Sequence, residues 1–355
     1  MVDLNLIMLN QKQLMEISLN DIIIKPDLES VVRIPMSDEE YFGPKYSDYV
    51  SNSRLKLINP EDGGSPSKYK TGFKIKNDRS LILGSAVHCA LLQPDEFILA
   101  PDLKKPTAKL GLVIDKIKEY RDKHYKIIDS INLACSEVDY YKGNINLTKL
   151  RKIISEGLYY YINIPKESNV IVLPTKARET CINCVNNLKA SKPIMSLINP
   201  TDIFGDPIES HNEDAFFMNF NCSYKDKSCV VRFKMKADNW SIDPDNKTLT
   251  LNDLKTTSSP VDEFLGGSFI KFHYFTQFFC YKYVLTQYCK QHYGFNEDWT
   301  TDCNVIVVGT RGNNDTAIYK VFNEFLDHGN KEFCRLLKMV AFCEMYGYND
   351  DYMFM

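Results

Sequence analysis

No stretch of this 355-residue chain approaches 18 uninterrupted apolar residues, so no membrane span is expected. The opening segment, MVDLNLIMLNQKQ, lacks a basic region ahead of a long apolar run, so no secretory signal is expected either. Surplus positive charge is also missing. The formal net charge is -3, which excludes a general polycation, so any nucleic acid would be held by local basic patches or bound cations. Internal repeats and low-complexity tracts are absent. The 11 cysteines are odd in number and scattered, which argues against a disulfide framework and for reduced thiols in a cytosolic compartment. What is there is an ordinary globular composition, 44% hydrophobic and 25% charged, in a chain long enough for one large domain with insertions or two ordinary ones.

Residues 1–50 show no clear period and read as an N-terminal extension with one or two short elements. SNSRLKLINPEDGGSPSKYKTG, residues 51–72, reads as a short helix and then a loop broken by Pro60, Gly63, Gly64 and Pro66. The loop turns basic through Lys68, Lys70, Lys74, Lys76 and Arg79, either a solvated surface or a phosphate-contacting one. Residues 79–97 read as a mostly buried helix, with Leu83, Val87, Ala90 and Leu91 at helical spacing and Pro94 ending it. A mainly helical insertion is expected at about 100–205, with Leu110, Leu112, Ile114, Ile117 and Tyr120 as one amphipathic stripe. From about residue 213 the period becomes two, and short strands run to KTLTLNDLK. A long aromatic-rich helix covers 268–292. NVIVVGT and TAIYKVF read as strands around the turn RGNND, and the last thirty residues as helical. The whole predicts an α/β (α+β) fold with a central mixed sheet flanked by helices, behind a helical N-terminal half. Residues 51–345 form its main domain and 346–355 a tail.

Chemistry concentrates in one hairpin. The turn signal SIDPDNK, centred between Asp245 and Asn246, sets Asp238 directly opposite Asp253, with Cβ atoms ~5 Å apart. Like charges so placed are destabilising, and a divalent cation with a taste for oxygen ligands, Mg²⁺ or Mn²⁺, relieves the cost. In LNDLKTT, Asp253 and Lys255 stand two apart and share one strand face. Such a pair is either a surface salt bridge or part of a reaction centre, where a lysine beside a metal holds water or neutralises charge on a phosphate. His88 lies in an otherwise apolar helix, as a satisfied core residue or a ligand. Gln277 and Tyr281 share a helix face at i, i+4. Glu213 precedes the first strand as a further carboxylate or a cap.

These segments together resemble the PD-(D/E)XK nuclease superfamily, and within it the RecE-type exonucleases (exodeoxyribonuclease VIII) and their RecB-like relatives. LGSAVHCALLQPDEF resembles that branch's G-x-x-x-H helix, KMKADNW its first aspartate, NDLKTT its D-x-K-T-T strand and QFFCY its Q-x-x-x-Y helix. VSNSRLKL followed by SPSKY is similar to the segment upstream of the His helix, and Glu213 to a glutamate before the core strands. Ala237 stands where the superfamily's name has proline. The motifs fall in family order from about residue 50 to 285.

The resemblance implies a restriction-endonuclease-like core and a Mg²⁺-dependent (or Mn²⁺-dependent) deoxyribonuclease. Its ligands would be His88, Asp238 and Asp253, with Glu213 an additional acid. Lys255 would position the attacking water, Gln277 orient the lysine or water, and Tyr281 touch the substrate phosphate. It further implies 5′→3′ exonuclease action on duplex DNA in recombination or phage DNA metabolism, in a bacterial or phage-infected cytoplasm. A single-strand annealing recombination protein and a ring-shaped homo-oligomer are the implied partners. Alternatives within the fold are a structure-specific or single-strand endonuclease, and outside catalysis a DNA-binding or interaction protein.

Two other features bear on function. CINC, Cys181 to Cys184, has metal-ligand spacing but no nearby second pair, so no iron–sulfur cluster is expected and buried free thiols are. Arg232, Lys234 and Lys236 alternate with Val231, Phe233 and Met235 and lead to Asp238, as a solvated strand face or a guide for the DNA backbone.

Overall fold

The computed structural model describes residues 15–72, 79–95, 98–101, 106–140, 147–158, 160–161 and 170–355. Lys74 and Lys76 lie outside the described residues, as does the side chain of Arg79. The chain divides into two compact units, Met1–Gln93 with Ile182–Met355, and Pro94–Cys181. No helix among the described residues is long and apolar enough to cross a membrane.

The larger unit is built on one six-stranded mixed sheet: β1 (Ile23–Ile34), β2 (Glu209–Tyr224), β3 (Lys227–Asp243), β4 (Thr248–Thr257), β5 (Thr300–Gly309) and β6 (Thr316–Lys320). The strands lie side by side in chain order. All neighbours are antiparallel except β4 and β5. A parallel pair needs a crossover, and the aromatic-rich helix Tyr274–His292 supplies it. Helix α1 (Arg79–Leu92) contacts β3 and β4. The expected α/β architecture with a central mixed sheet and flanking helices is therefore what the chain adopts. One difference lies at the N-terminus. Residues 23–34, read from sequence as part of an extension, form the edge strand of this sheet against β2. Their apolar alternation is too irregular to announce a strand, because one face is barely covered and a bulge falls between Asp27 and Val32.

The register of the β3–β4 hairpin follows its turn. Asp243 accepts bonds from the Asn246 backbone N–H at 3.0 Å and its side-chain amide at 2.7 Å, while Lys247 takes the left-handed conformation at φ 52°. Asn239 then pairs with Asn252 and Trp240 with Leu251. Along β3, Val231, Phe233, Met235 and Ala237 alternate into the core. The long helix Tyr274–His292 and the C-terminal helix Asn323–Tyr346 bury Phe278, Val284, Leu285, Phe333 and Val340 in that same core.

The smaller unit packs helices α2 (Ala108–Asp122) and α3 (Ile127–Glu137) around Leu110, Val113, Ile114, Ile117, Ile131 and Ala134. Leu112, assigned to the apolar stripe, is instead exposed, and Val113 takes the buried place. Three further helices of the larger unit are α4 (Lys192–Ile198), α5 (Tyr274–His292) and α6 (Asn323–Tyr346).

Candidate metal centre

Helix α1 and strands β2, β3 and β4 bring four of the expected residues together. His88 Nδ1 lies 3.4 Å from Asp238 Oδ2 and 3.9 Å from Glu213 Oε1. One donor atom from each of His88, Glu213 and Asp238 falls within 4.8 Å of the others. Glu213 is thus a member of the group rather than a distant cap. It reaches the group through a left-handed backbone at φ 56°, a conformation costing a non-glycine residue on the order of 1–3 kcal/mol. The ladder pairs Asn212 with Asn239 and Asp214 with Ala237, so Glu213 and Asp238 occupy one intervening level. The β3–β4 register places Asp253 at that same level on the next strand.

Asp253 and Lys255 share a face of β4, while Leu254 between them is buried on the other. The Lys255 ammonium contacts Asp253 Oδ2, and Gln277 Nε2 donates to Asp253 Oδ1 at 2.7 Å. Asp238 Oδ2 accepts the backbone N–H of Leu254 at 2.8 Å, which fixes that carboxylate at the splayed end of the ladder. Helix α1 can approach β4 because residue 84 is glycine. A Cβ there would stand 3.1 Å from Thr256 Oγ1. This gives the G-x-x-x-H spacing a steric reason.

Burial and charge act in opposition. Burial, reinforced by the Asp253 charge, pushes the Asp238 carboxyl up to about 7. Burial would depress the His88 imidazolium, but Asp238 and Glu213 outweigh it and hold His88 above its ordinary value. Burial likewise opposes the charged forms of Glu213 and Lys255. The contacts of Glu213 with His88 and Lys236 nevertheless hold it low, and Asp253 and Asp238 hold Lys255 high. The centre is therefore short of positive charge at the Asp238–Asp253 level. Asp253 Oδ2 is buried and, despite its ion contact with Lys255, makes no aligned hydrogen bond. An imidazole, three carboxylates and a buried under-bonded oxygen suit a hard or borderline divalent cation.

Tyr281 packs half-buried against the main core, one turn beyond Gln277. Burial, with smaller effects from Tyr41, Asp253 and Asp238, raises its phenol. The candidate basic stripe along β3 has other engagements. Arg232 pairs with Asp48, Lys234 donates to the Tyr41 carbonyl at 2.7 Å, and Lys236 pairs with Asp38 and, at 2.7 Å, with Glu213. Lys68 donates to the Gly63 carbonyl, and Lys70 lies over the Tyr348 ring at 4.9 Å. Cys181 and Cys184 are buried and form no disulfide.

Two features escaped sequence reasoning. Tyr274 places its ring 5.1 Å from Lys255 Nζ and 5.5 Å from Lys56 Nζ, between two ammonium groups. Beside the acids, four asparagines form a ladder across β2 to β5. Asn304 donates to Asn252 at 2.9 Å, Asn252 to Asn239 at 2.7 Å and Asn239 to Asn212 at 2.8 Å. Asn252 and Asn239 also bond the Leu197 and Ile198 carbonyls at the end of α4, at 3.0 and 3.2 Å. The hairpin register held the signal for the central pair: setting Asp238 opposite Asp253 also sets Asn239 opposite Asn252.

No family model and no curated protein matches this sequence. Among solved structures, the chain is similar to a provisionally named exonuclease from Eubacterium rectale, at 11% identity and a TM-score of 0.44, over 86% of each chain. A match to Rai1 of Scheffersomyces stipitis, solved with 3′-NADP⁺ and calcium, has 10% identity and a TM-score of 0.19, over 93% of this chain and 83% of that one.

Proposed function

We propose that this chain is a divalent-cation-dependent DNA nuclease, and specifically an exonuclease that degrades duplex DNA 5′→3′ in a recombination or phage setting. The observation that carries the nuclease reading is the convergence of His88, Glu213, Asp238, Asp253, Lys255 and Gln277 from five elements. Duplex preference, polarity, a single-strand annealing partner, a ring-shaped oligomer and a cytoplasmic site of action rest on the motif resemblance.

His88, Asp238 and Asp253, with Glu213, would hold Mg²⁺ or Mn²⁺. When bound, the cation supplies Lewis-acid polarisation of a phosphoryl oxygen and a lowered pKa for water. The protein's own groups do the positioning. Lys255, kept protonated by its acid neighbours, faces the charge that develops on the phosphate and orients the attacking water. Gln277 fixes the rotamer of Asp253. Tyr281 offers a neutral phenol to a phosphate oxygen. Asp238, whose carboxyl burial and the Asp253 charge push up to about 7, would be favoured in its ionised form by a bound cation.

The test is digestion of end-labelled linear duplex with Mg²⁺, beside a covalently closed circle, for wild type and Asp253→Asn. Degradation of the linear DNA alone, lost in the variant, fits the proposal, and the order of label release gives the polarity. Cleavage of the circle as well would make the enzyme an endonuclease. No cleavage with Mg²⁺ or Mn²⁺, with DNA bound equally by both proteins, would make it a binding protein.

A further inference from the structure

The first turn of α5 has a second side that the candidate centre leaves unused. Gln277 and Tyr274 face Asp253 and Lys255, while His273 and Thr276 line a separate small cavity with Asn52, Lys56, Asp62 and Leu336. His273 stands immediately before the helix at φ 51°, with no side-chain cap bond. One donor atom each of Glu61, His273 and Glu332 lies within 4.8 Å of the others. Asp62 Oδ2 lies 3.7 Å from His273 Nδ1.

The acids here are held from behind. Arg335 clasps Glu332 through two bonds, at 2.7 and 2.8 Å, and donates to Asn59 Oδ1 at 2.7 Å. Asn59 in turn donates to Asp62 Oδ2 at 2.9 Å. Such outer contacts fix ligand orientation at metal sites. Three carboxylates, Glu61, Asp62 and Glu332, face two cations, Arg335 and Lys56, so the cluster keeps a negative surplus. Lys56 is turned aside, donating to the Phe272 carbonyl at 2.6 Å.

An independent observation points to a ligand. Thr276 is 2% exposed and shares the cavity lining with His273 and Asp62, yet its hydroxyl has no hydrogen-bond partner in the protein. A buried hydroxyl is ordinarily satisfied, and leaving it without a partner is costly. A hydrated cation offers the missing partner through one of its waters.

We propose that Glu61, His273 and Glu332 form a second cation site, with Asp62 at its border and Thr276 bonding the ion's water. One imidazole with carboxylates is a donor set that accepts borderline divalent ions, and Zn²⁺ serves as the probe. The amino end of α5 opposes a cation, which the carboxylates must outweigh. Binding would tie the turn at Glu61 to the start of α5 and to α6. That is the helix start which carries Tyr274 against Lys255 and Gln277 against Asp253. The site stands independently of the nuclease reading.

The test uses the full chain with the other centre removed, His88→Gln with Asp238→Asn, dialysed against Zn²⁺ and analysed for bound metal. One Zn²⁺ per chain is expected. Adding Glu61→Gln and His273→Asn, the latter because asparagine tolerates the left-handed backbone, should weaken binding at least tenfold. Glu61→Gln alone, at an exposed position, should weaken it by a smaller factor and guards against a folding defect, checked by circular dichroism. No Zn²⁺ on the His88→Gln, Asp238→Asn protein, or unchanged affinity after the Glu61 and His273 substitutions, overturns the proposal.

Discussion

Gln277 reaches from α5 to Asp253 on β4 and donates to Oδ1 at 2.7 Å, leaving Oδ2 to Lys255. The crossover helix that follows β4 thus decides how the strand's carboxylate is turned. The consequence is measurable. Gln277→Ala should lower the rate of DNA cleavage by about 10–100-fold, the usual effect of removing an outer partner of a metal-site carboxylate. Gln277→Glu should do worse, by setting a third acid against Asp253 and Asp238. Thermal unfolding of Gln277→Ala should stay close to wild type. A rate unchanged within error, with the fold intact, would remove Gln277 from the centre.

The asparagine ladder predicts a stability effect without a chemical one. Asn252 donates to Asn239 and to the Leu197 carbonyl, and accepts from Asn304. Asn252→Ala strands buried partners on both sides, each worth about 1–3 kcal/mol. A loss of roughly 2–4 kcal/mol in urea unfolding is expected. Asn304→Ala, at the ladder's end, should lose about half as much. Equal losses would mean that the single Asn304 bond matters as much as the three made by Asn252, against the expectation from bond count.

Much of this centre was legible because period and turn chemistry act locally. Asp253 and Lys255 fall on one strand face by alternation alone, and the SIDPDNK turn sets the β3–β4 register that the structure adopts. Gln277 and Tyr281 needed only the helical period. What stayed hidden depends on contacts distant in sequence or on an unusual backbone. Glu213 is a candidate acid from its place before the core strands, but no propensity announces the left-handed kink through which it enters. The edge strand 23–34 owes its pairing to β2, some 190 residues away, rather than to its own pattern. The basic stripe on β3 looks free in sequence. Its partners Asp38, Tyr41 and Asp48 come from the segment after the edge strand, whose placement the sequence does not reveal.

A pH effect follows from the Asp238 carboxyl, which burial and Asp253 push up to about 7, against about 3.9 for an unfolded aspartate. Between those values the native state binds the extra proton, so metal-free stability should fall as pH rises from about 4 to 7. The raised imidazolium of His88 adds loss in the same direction, since its contribution disappears as pH climbs through its folded value. Asp238→Asn removes the first effect and weakens the second. In EDTA, that variant should be more stable than wild type at pH 8, by on the order of 3 kcal/mol, and no more stable at pH 4. Urea unfolding of both proteins at the two pH values checks this. A variant less stable at pH 8 would mean that Asp238 is not held against its charge.

Gly84 supplies the sharpest separation of packing from chemistry. Its missing Cβ would stand 3.1 Å from Thr256 Oγ1, next to Lys255 on β4, and His88 follows one helical turn later. Gly84→Ala gains helix propensity of about 1 kcal/mol, so the global fold should hold or even strengthen. The added methyl nevertheless presses α1 away from β4 and moves His88 relative to Asp238. Affinity for Mn²⁺ should therefore drop, and Gly84→Val should lower it further. Adding Thr256→Ser to Gly84→Ala leaves the clashing oxygen but removes the methyl that limits its rotation, so part of the affinity should return. Calorimetric Mn²⁺ titration of the three variants reads this out. Unchanged affinity in Gly84→Val would show that the glycine serves the helix alone and that the G-x-x-x-H spacing has no bearing on the centre.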